Sequence, residues 1–358
     1  MKVFKFGGAS VKNADAVKNV GKVLNLYRGD DLVVVVSAMG KTTNSLEKLT
    51  DEYYNKTGDA SKSLETIRCY HIDIVKELFP DENHGVYAEV NNIFVELEWI
   101  IADEPASNYD FVYDQVVSMG ELISTVIVSF WLNETGIKNT WVDVRDFLKT
   151  DNTYREAKVD WALTEKKINK ALVPLFSQHK GGTVAVTQGF IGVTSENYNT
   201  TLGREGSDYT AAIIASLINA EEVVIWKDVP GVLNADPKWF DKTVKLDILS
   251  YHEAIELSFF GATVIHPKTL KPLENKQIPL KVKSFSAPAE EGTLITSSKE
   301  LSQAQTLIPS FIFKVDQVLI SILPKDYSFI VEENLSNIFK SFADHGVKIN
   351  LMQHGAIS

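Results

Sequence analysis

The chain has 358 residues, 44% of them hydrophobic and 23% charged, which fits a globular protein of about two domains. A formal net charge of −11 argues against a general nucleic-acid-binding surface, which needs clustered Lys and Arg, although a local positive pocket can still hold a small anion. Cys69 is the only cysteine, which excludes an intrachain disulfide and a cysteine-rich metal site, and we expect its thiol to be buried.

The first half of the chain alternates predicted strands with helices. Segments rich in β-branched residues predict strands at 2–6, 32–36, 139–144 and 183–193. Helical periodicity fills the insertion from Thr43 to Asn133; one apolar stripe includes Leu64, Cys69 and Leu78 and stops at Pro80. This alternation predicts an α/β fold with a central, largely parallel sheet covered by helices on both faces.

These segments do not resemble those of membrane or secreted proteins. The longest apolar run, 122–132, is far shorter than the ~20 residues that a membrane span requires, and it contains serines and a threonine. A strand, two glycines and a helix follow Met1 directly, unlike a secretory signal. We therefore expect a cytosolic protein with no membrane partner.

A second α/β series follows residue 200. It comprises predicted helices at 207–219, 250–260 and about 267–275, with strands at 222–226 and 279–285. The polar stretch 297–305 is typical of a linker, and the residues after it have a strand, helix, strand pattern over 311–352. We interpret this last piece as a fragment of a small α+β module.

The stretch KFGGAS, residues 5–10, is the first candidate site. Two glycines end a strand and begin a helical segment, with Lys5 two residues before them. The glycines alone are equally consistent with a tight turn beside a solvated lysine. Alternatively, free amides at Gly7 and Gly8, the positive end of a helix dipole and the Lys5 ammonium form an anion site, which needs a second half elsewhere in the chain.

The stretch NTTLGREGSDYTA supplies a candidate for that second half. Gly203 and Gly206 bracket a turn, and Ser207 or Asp208 can cap the helix that follows. Arg204 can bind a carboxylate or phosphate through two parallel hydrogen bonds, and with Asp208 it suits an amino acid, which carries both a carboxylate and an ammonium. A capped surface helix remains the simpler alternative.

Two other site types are excluded. Gly40-Lys41-Thr42 has the ending of a P-loop, but Val35 occupies the position of the required first glycine. The seven histidines lack metal-ligand spacing, since Glu256 stands three residues after Glu253 where a metalloprotease helix would place its second histidine. We therefore expect no protein-held metal.

Eight motifs in order give the chain a family resemblance: KFGGAS, VVVVSAMGKTTN, SMGEL, TQGFIG, TTLGREGSDYTAA, WKDVPGVLNADPK, FGATVIHPKTL and EEGTLI. Over residues 1 to about 295 the chain resembles the aspartate kinases of the amino-acid kinase family. The resemblance implies a three-layer αβα sandwich over 1–296, with an aspartate-binding lobe at 1–195 and a nucleotide-binding lobe at 196–296. It also implies a linker at 297–309 and a partial, ferredoxin-like ACT regulatory region at 310–358.

The same resemblance implies transfer of the ATP γ-phosphoryl group to the β-carboxylate of L-aspartate, which begins lysine, threonine and methionine synthesis. Lys5 and Asp208 are the implied catalytic residues, with Asp208 orienting Lys5. The implied aspartate-binding residues are Thr43, Glu121, Phe190, Arg204 and Ser207, with Arg204 on the α-carboxylate and Glu121 and Asp208 towards the ammonium. The implied ATP-binding residues are Lys5, Phe6, Gly7, Gly8, Lys227, Asp228, Leu233, Asp236, Lys238 and Thr263, with Mg²⁺ carried mainly by the ATP phosphates and water.

Two residues depart from the family pattern. Many members have lysine at the position of Thr263 and glycine at that of Glu205, so another cation, such as Lys227, Lys238 or Lys268, must compensate at the phosphate site or turnover suffers. Two alternatives therefore stay open: another small-acid or amino-acid kinase of this fold, and a catalytically weak sensor of amino acid or nucleotide. By resemblance we also expect a homodimer through the ACT-like region and an amino-acid feedback effector.

Overall fold

The computed structural model describes residues 1–177, 181–262, 265–297, 308–312, 315–324, 329–347 and 349–355. The chain divides into two compact units, Met1–Phe311 and Ile312–Ser358. The strands are β1 (Lys2–Phe6), β2 (Leu32–Val36), β3 (Asn139–Trp141), β4 (Val184–Gln188), β5 (Ile191–Val193), β6 (Asn199–Thr201), β7 (Val223–Lys227), β8 (Ile248–Ser250), β9 (Leu280–Ser284) and β10 (Thr293–Thr296). The helices are α1 (Ala14–Asn25), α2 (Thr42–Asn55), α3 (Ala60–Leu78), α4 (Gly85–Ala102), α5 (Tyr109–Val117), α6 (Met119–Glu134), α7 (Trp161–Ala171), α8 (Val173–Ser177), α9 (Gly206–Ile218), α10 (Tyr251–Phe260), α11 (Pro267–Lys276) and α12 (Glu332–Asp344).

An eight-stranded sheet forms the centre of the larger unit, in the order β3-β4-β2-β1-β7-β9-β10-β8. Every neighbouring pair is parallel except β9 and β10. β2 consists of Leu and Val alone and is buried over its whole length, as expected of a strand covered on both faces. The largely parallel sheet predicted from the sequence is confirmed.

Side-chain alternation along β1 separates its two faces. The rings of Phe4 and Phe6 contact the ring of Trp226, and Phe4 also contacts Tyr27 beyond the end of α1. Lys5 points the other way, towards α9, which packs on β1, β2 and β7. α6 packs against β2 and β4 and contacts α1. The αβα sandwich is therefore confirmed, with the candidate lysine on the α9 side.

The helical stretch formed by α5 and α6 is longer than the apolar run suggested. Residues Tyr109–Glu134 are long and apolar enough to cross a membrane, but 83% of their most apolar window is buried inside the protein. That burial is typical of a core helix, since lipid-facing residues would be exposed on the protein surface.

The prediction of a buried Cys69 is wrong. Its thiol is exposed on α3 and lies 3.4 Å from Glu65 Oε1, its hydrogen-bond acceptor. The buried stripe of α3 continues from Ile67 to His71 and Ile74, so Cys69 lies on another face of the helix. Because the buried stripe includes a histidine, the apolar pattern alone did not indicate which face of α3 is buried.

The smaller unit contains α12 at the predicted position. The strands predicted on either side of it are not formed among described residues 315–324 and 349–355. Val318 and Leu319 there are largely exposed, without the strand partners that an ACT-like sheet would supply. Its α+β architecture and the lobe boundaries stay predictions, and most of the predicted linker, residues 298–307, lies outside the described residues.

Candidate active site

The site forms where the carboxyl ends of the central strands meet. β1 pairs with β2 on one side and with β7 on the other, so the turn after Phe6, the loop after Val36 and the end of β7 lie at one edge of the sheet. Ligands bind at this edge in open α/β sheets because loops diverge there. The N-terminus of α9 covers the same edge.

Three charged side chains form the centre of the site. Lys5 Nζ lies 2.6 Å from Asp208 Oδ1, and Lys227 Nζ lies 3.4 Å from Asp208 Oδ2. Asp208 is 1% exposed, and although burial alone would raise its pKa, the two lysines hold the pKa below its usual value. The carboxylate therefore stays ionised at neutral pH and fixes both ammonium groups.

The glycine turn is closely packed, which its sequence could not show. Gly40 N donates a hydrogen bond to Gly8 O at 3.0 Å. A Cβ at Gly8 would lie 2.8 Å from the carbonyl oxygens of Ala38 and Gly40, so no larger residue fits without a backbone shift. At Gly7 the nearest atom to such a Cβ would be Lys5 Nζ, at 3.3 Å. The turn thus joins Lys5 to the loop after β2.

The turn before α9 uses two left-handed residues. Gly203 has φ +77° and Glu205 has φ +55°, a conformation that costs a side-chain-bearing residue roughly 1–2 kcal/mol. Arg204, between them, is exposed and makes no ion pair with the described residues. Glu205 is half-buried, and its Oε2 accepts no hydrogen bond within the described part of the chain. Burial raises the pKa of Glu205, while Lys227 opposes that rise.

The turn that carries Phe190 packs against the helix start that carries Ser207, and two glycines allow this close approach. Phe190 has φ +68° between β4 and β5, and its ring edge would lie 2.7 Å from a Cβ at Gly206. A Cβ at Gly189 would lie 2.5 Å from Ser207 Cβ. The turn after β4 therefore packs directly on the first residues of α9, and bulk at either glycine would separate them.

Glu121 is buried in the first turn of α6, only 2% exposed. Its Oε1 accepts a hydrogen bond from Ala38 N at 3.3 Å, while Oε2 has no hydrogen-bond partner among the described residues. Burial raises the pKa of Glu121 to about 8, against which Ala38 N–H and the charge of Lys5 act. This carboxyl group is therefore mostly protonated at pH 7 and has one oxygen available for a ligand.

Thr43 is half-buried in the first turn of α2. Its neighbour Thr42 lies 3.2 Å from His71 Nε2, and His71 Nδ1 lies 2.7 Å from Ile67 O. Burial lowers the pKa of His71 to about 4, so the neutral ring donates to Ile67 and accepts from the Thr42 hydroxyl. This contact anchors the start of α2.

The residues predicted to bind ATP divide into two groups. Lys5, Gly7, Gly8 and Lys227 lie at the site, and Phe6 packs behind it on Trp226, with ring centroids 5.9 Å apart. Asp228, Leu233, Asp236 and Lys238 lie along the loop that follows β7, where Asp236 Oδ1 accepts a hydrogen bond from Lys238 N at 2.9 Å. Thr263 lies outside the described residues, and Lys268 is exposed near the start of α11.

Sequence reasoning missed Asp114, a fully buried carboxylate on α5. Its oxygens accept hydrogen bonds from Arg155 N, Thr201 N and Thr201 Oγ1. Burial raises the pKa of Asp114 to about 6, and these hydrogen bonds oppose the rise. An aspartate within the apolar stretch FVYDQVV was the available signal, because a charged residue is seldom fully buried without partners.

The arrangement suits two anionic reactants. Two ammonium groups held by one carboxylate face an edge of the sheet that also carries a glycine turn and a helix N-terminus. A separate guanidinium, that of Arg204, and a buried acid, Glu121, complement the charges of an amino acid. Such a site can align a phosphate donor with a carboxylate acceptor.

Comparison with known proteins supports this interpretation of the site. The model of the amino acid kinase family matches residues 1–284. The chain is 30% identical over 361 residues to lysine-sensitive aspartokinase 3 of Escherichia coli K12, covering 99% of this chain and 76% of that protein. It is 32% identical over 372 residues to chloroplastic aspartokinase 2 of Arabidopsis thaliana, covering 99% and 65%.

Solved structures similar to this chain include aspartokinases as well. E. coli aspartokinase III in complex with aspartate and ADP has a TM-score of 0.82 at 28% identity, over 100% of this chain and 77% of that one. The chain spans about a third of the length of a Zea mays bifunctional aspartokinase/homoserine dehydrogenase, to which it is 33% identical over 300 residues. From the match over residues 1–284 and the near-complete alignment with the E. coli enzyme, the chain belongs to the amino acid kinase family and, within it, to the aspartokinases.

Proposed function

We propose that this protein transfers the γ-phosphoryl group of ATP to the β-carboxylate of L-aspartate, giving 4-phospho-L-aspartate and ADP as the first step towards lysine, threonine and methionine. The observation that carries the proposal is the array of Lys5, Asp208 and Lys227 at the carboxyl edge of β1 and β7. Aspartokinase relatives, and a structural neighbour holding aspartate and ADP, support the choice of reactants.

Charge neutralisation and alignment account for the chemistry. The β-carboxylate of aspartate is already ionised at pH 7, so it needs no general base. Lys5 neutralises negative charge on the phosphoryl group as it moves between two anionic oxygens. Asp208 directs Lys5 through its 2.6 Å contact, and Lys227 adds a second cation on the nucleotide side.

Aspartate is held by complementary charges in the proposed complex. Arg204 binds the α-carboxylate, and Glu121 binds the ammonium through its available Oε2. Thr43, Phe190 and Ser207 complete the pocket around the substrate. A zwitterion with a second carboxylate therefore fits better than a simple carboxylic acid, which would leave the buried Oε2 of Glu121 without a hydrogen-bond partner.

Mg²⁺ fits this site as an ion that would bind together with the nucleotide, held mainly by its phosphates. No cluster of three His, Cys, Asp or Glu suited to a metal occurs among the described residues. Mg²⁺ prefers phosphate, water and carboxylate oxygens, and the buried Oε2 of Glu205 is one such oxygen next to the lysines. When bound, the ion would neutralise phosphate charge; Asp228, Leu233, Asp236 and Lys238 would line the nucleotide.

The first test is aspartate-dependent acyl phosphate formation, trapped as the hydroxamate, with glutamate and acetylglutamate as alternative acids. We expect aspartate to be the preferred acceptor, and Lys5→Met to lower kcat by roughly 10²–10³ while ADP binding and the fold persist. Lys2→Met is the matched control. Lys2 lies on the same strand, but its Nζ pairs with Asp30 Oδ2 at a distance of 2.9 Å and not with Asp208. ATP binding without any acyl phosphate would identify a sensor; preference for another acid would identify a related kinase.

Assembly and regulation belong to the same proposal. The E. coli neighbour is also known in a complex with lysine and aspartate, which favours an amino-acid effector here. We infer a homodimer formed through residues 310–358 and a cytoplasmic location. Light scattering of the full chain tests the dimer, and hydroxamate assays with lysine, threonine and methionine added in turn test the effector.

A further inference from the structure

A buried carboxylate joins two segments that approach the substrate turn. Asp114 on α5 has no exposed surface. Its Oδ2 accepts hydrogen bonds from Arg155 N at 3.0 Å and Thr201 N at 2.9 Å, and its Oδ1 accepts one from Thr201 Oγ1 at 2.7 Å. Charge-assisted hydrogen bonds of this kind are among the strongest in proteins, so Asp114 fixes both backbones firmly.

Both segments lead to the turn that carries Arg204. Thr201 ends β6 three residues before Arg204. Ala157 N donates to Thr201 O at 2.9 Å, so the chain after Arg155 runs alongside the end of β6. A Cβ at Gly203 would lie 3.3 Å from Arg155 O, which shows how closely this segment packs on the turn.

Arg155 is itself restrained. Its backbone is left-handed, with φ +67°, and its guanidinium lies 4.4 Å from the ring centroid of Tyr113, the residue before Asp114. It also pairs with Asp110 at 3.4 Å, on the preceding turn of α5. The segment is thus held to α5 at its side chain and at its backbone, and the backbone contact depends on Asp114.

We propose that Asp114 is a positioning residue for the proposed aspartate site: by holding Thr201 and Arg155 to α5, it sets the turn that presents Arg204 to the substrate. The inference rests on the proposed function. Asp114 is fully buried and acts through Thr201 and Arg155, whereas the two lysines on the phosphate side, Lys5 and Lys227, are held by a different carboxylate, Asp208. Its loss should therefore weaken aspartate binding and spare the nucleotide.

The test compares four variants of the full chain by hydroxamate kinetics and by calorimetric titration with ADP. Asp114→Asn removes the negative charge and replaces one of the two acceptor oxygens with an NH2 donor, so the three donors that Asp114 now holds lose a charged acceptor. We expect its KM for aspartate to rise at least tenfold, with the KM for ATP and the ADP affinity within twofold of wild type. Thr201→Val, which removes only the hydroxyl donor, should raise the aspartate KM several-fold.

Two controls separate positioning from folding. Thr201→Ser keeps the hydroxyl and the N–H groups and should restore the wild-type aspartate KM. Asp73→Asn removes an exposed carboxylate on a different helix, α3, and should leave the aspartate KM unchanged. If Asp114→Asn does not fold, the difference in aspartate KM between Thr201→Val and Thr201→Ser tests the proposal instead.

The outcomes distinguish this inference from the proposed function. An active wild type whose aspartate KM is unchanged in Asp114→Asn, or in Thr201→Val if the former does not fold, overturns the positioning role alone. Equal losses for aspartate and ATP also overturn it, because a merely structural residue would act on both. A wild type that phosphorylates no small acid overturns the proposed function and the positioning role together.

Discussion

Protonation of Glu121 should couple aspartate binding to pH. The carboxyl is 2% exposed, Oε2 lacks a hydrogen-bond partner among the described residues, and its pKa is raised to about 8. Only roughly one molecule in eleven then carries the ionised form at pH 7. In the proposed complex the substrate ammonium pairs with that form, so binding should expel the proton.

The magnitude follows from the ionised fraction. Apparent affinity falls in proportion to the competent population, which is roughly one in a hundred at pH 6, one in eleven at pH 7 and one in two at pH 8. The aspartate KM of wild type should therefore fall about fifty-fold from pH 6 to pH 8 through this group. Glu121→Gln should bind aspartate weakly and lack this dependence, because the amide does not titrate.

The assay is calorimetric titration of aspartate at pH 7 in buffers of different ionisation enthalpy. We expect about 0.9 proton released per aspartate by wild type and none from this position in Glu121→Gln. ADP titration of both proteins is the control and should release equal numbers of protons. Equal proton release by both proteins on aspartate binding would refute the reasoning.

Stability gives an independent measurement with a definite sign. The folded-state pKa of Glu121 lies above its ordinary 4.5, so the folded protein holds the proton more tightly than the unfolded chain. The resulting stabilisation is complete below pH 4.5 and is lost as pH rises through 8, by at most about 1.4 kcal/mol per pH unit. Denaturation of substrate-free wild type at pH 6 and 8 should show this loss, and Glu121→Gln should show less of it.

Two further predictions concern the turns. Glu205→Gly should raise the free energy of unfolding by about 1 kcal/mol, because glycine adopts φ +55° without a Cβ penalty. Denaturant titration checks this, with Glu156→Gln as the control. A variant less stable than wild type would contradict the prediction. Gly8→Ala should lower kcat at least tenfold, since its Cβ would meet backbone oxygens at 2.8 Å, whereas Gly7→Ala, which meets only the end of Lys5, should lose less. Kinetics in which both alanines act equally would disagree with the packing.

Much of the fold could be predicted because local pattern and burial agree. The run LVVVV is both β-branched and wholly buried, so the predicted strand and β2 coincide at 32–36. Helix α9 begins one residue before its predicted start, because Glu205 adopts a left-handed conformation that lets Gly206 enter the helix. In α3, by contrast, the buried His71 interrupts the apolar pattern, and the exposure of Cys69 was missed.

The site could be predicted only in part. Lysine, glycine and aspartate motifs in sequence order indicated that Lys5 and Asp208 converge, and they lie in contact. Asp114 and the Thr42 to His71 contact depend on partners 87 and 29 residues away in the chain, so no local spacing reveals them. Long-range hydrogen bonding of this kind is set by how the helices pack and not by a motif.

The central place of β1 bears on how the chain folds. Its partner β2 begins 30 residues later, but its other partner, β7, pairs with it through Val3 and Val223, more than two hundred residues apart. Closing so long a loop is slow, and until it closes one edge of β1 stays unpaired and able to join another chain. We therefore expect the strand that carries the candidate lysine to be enclosed late in folding, and we expect chaperone dependence and aggregation during refolding to concentrate there.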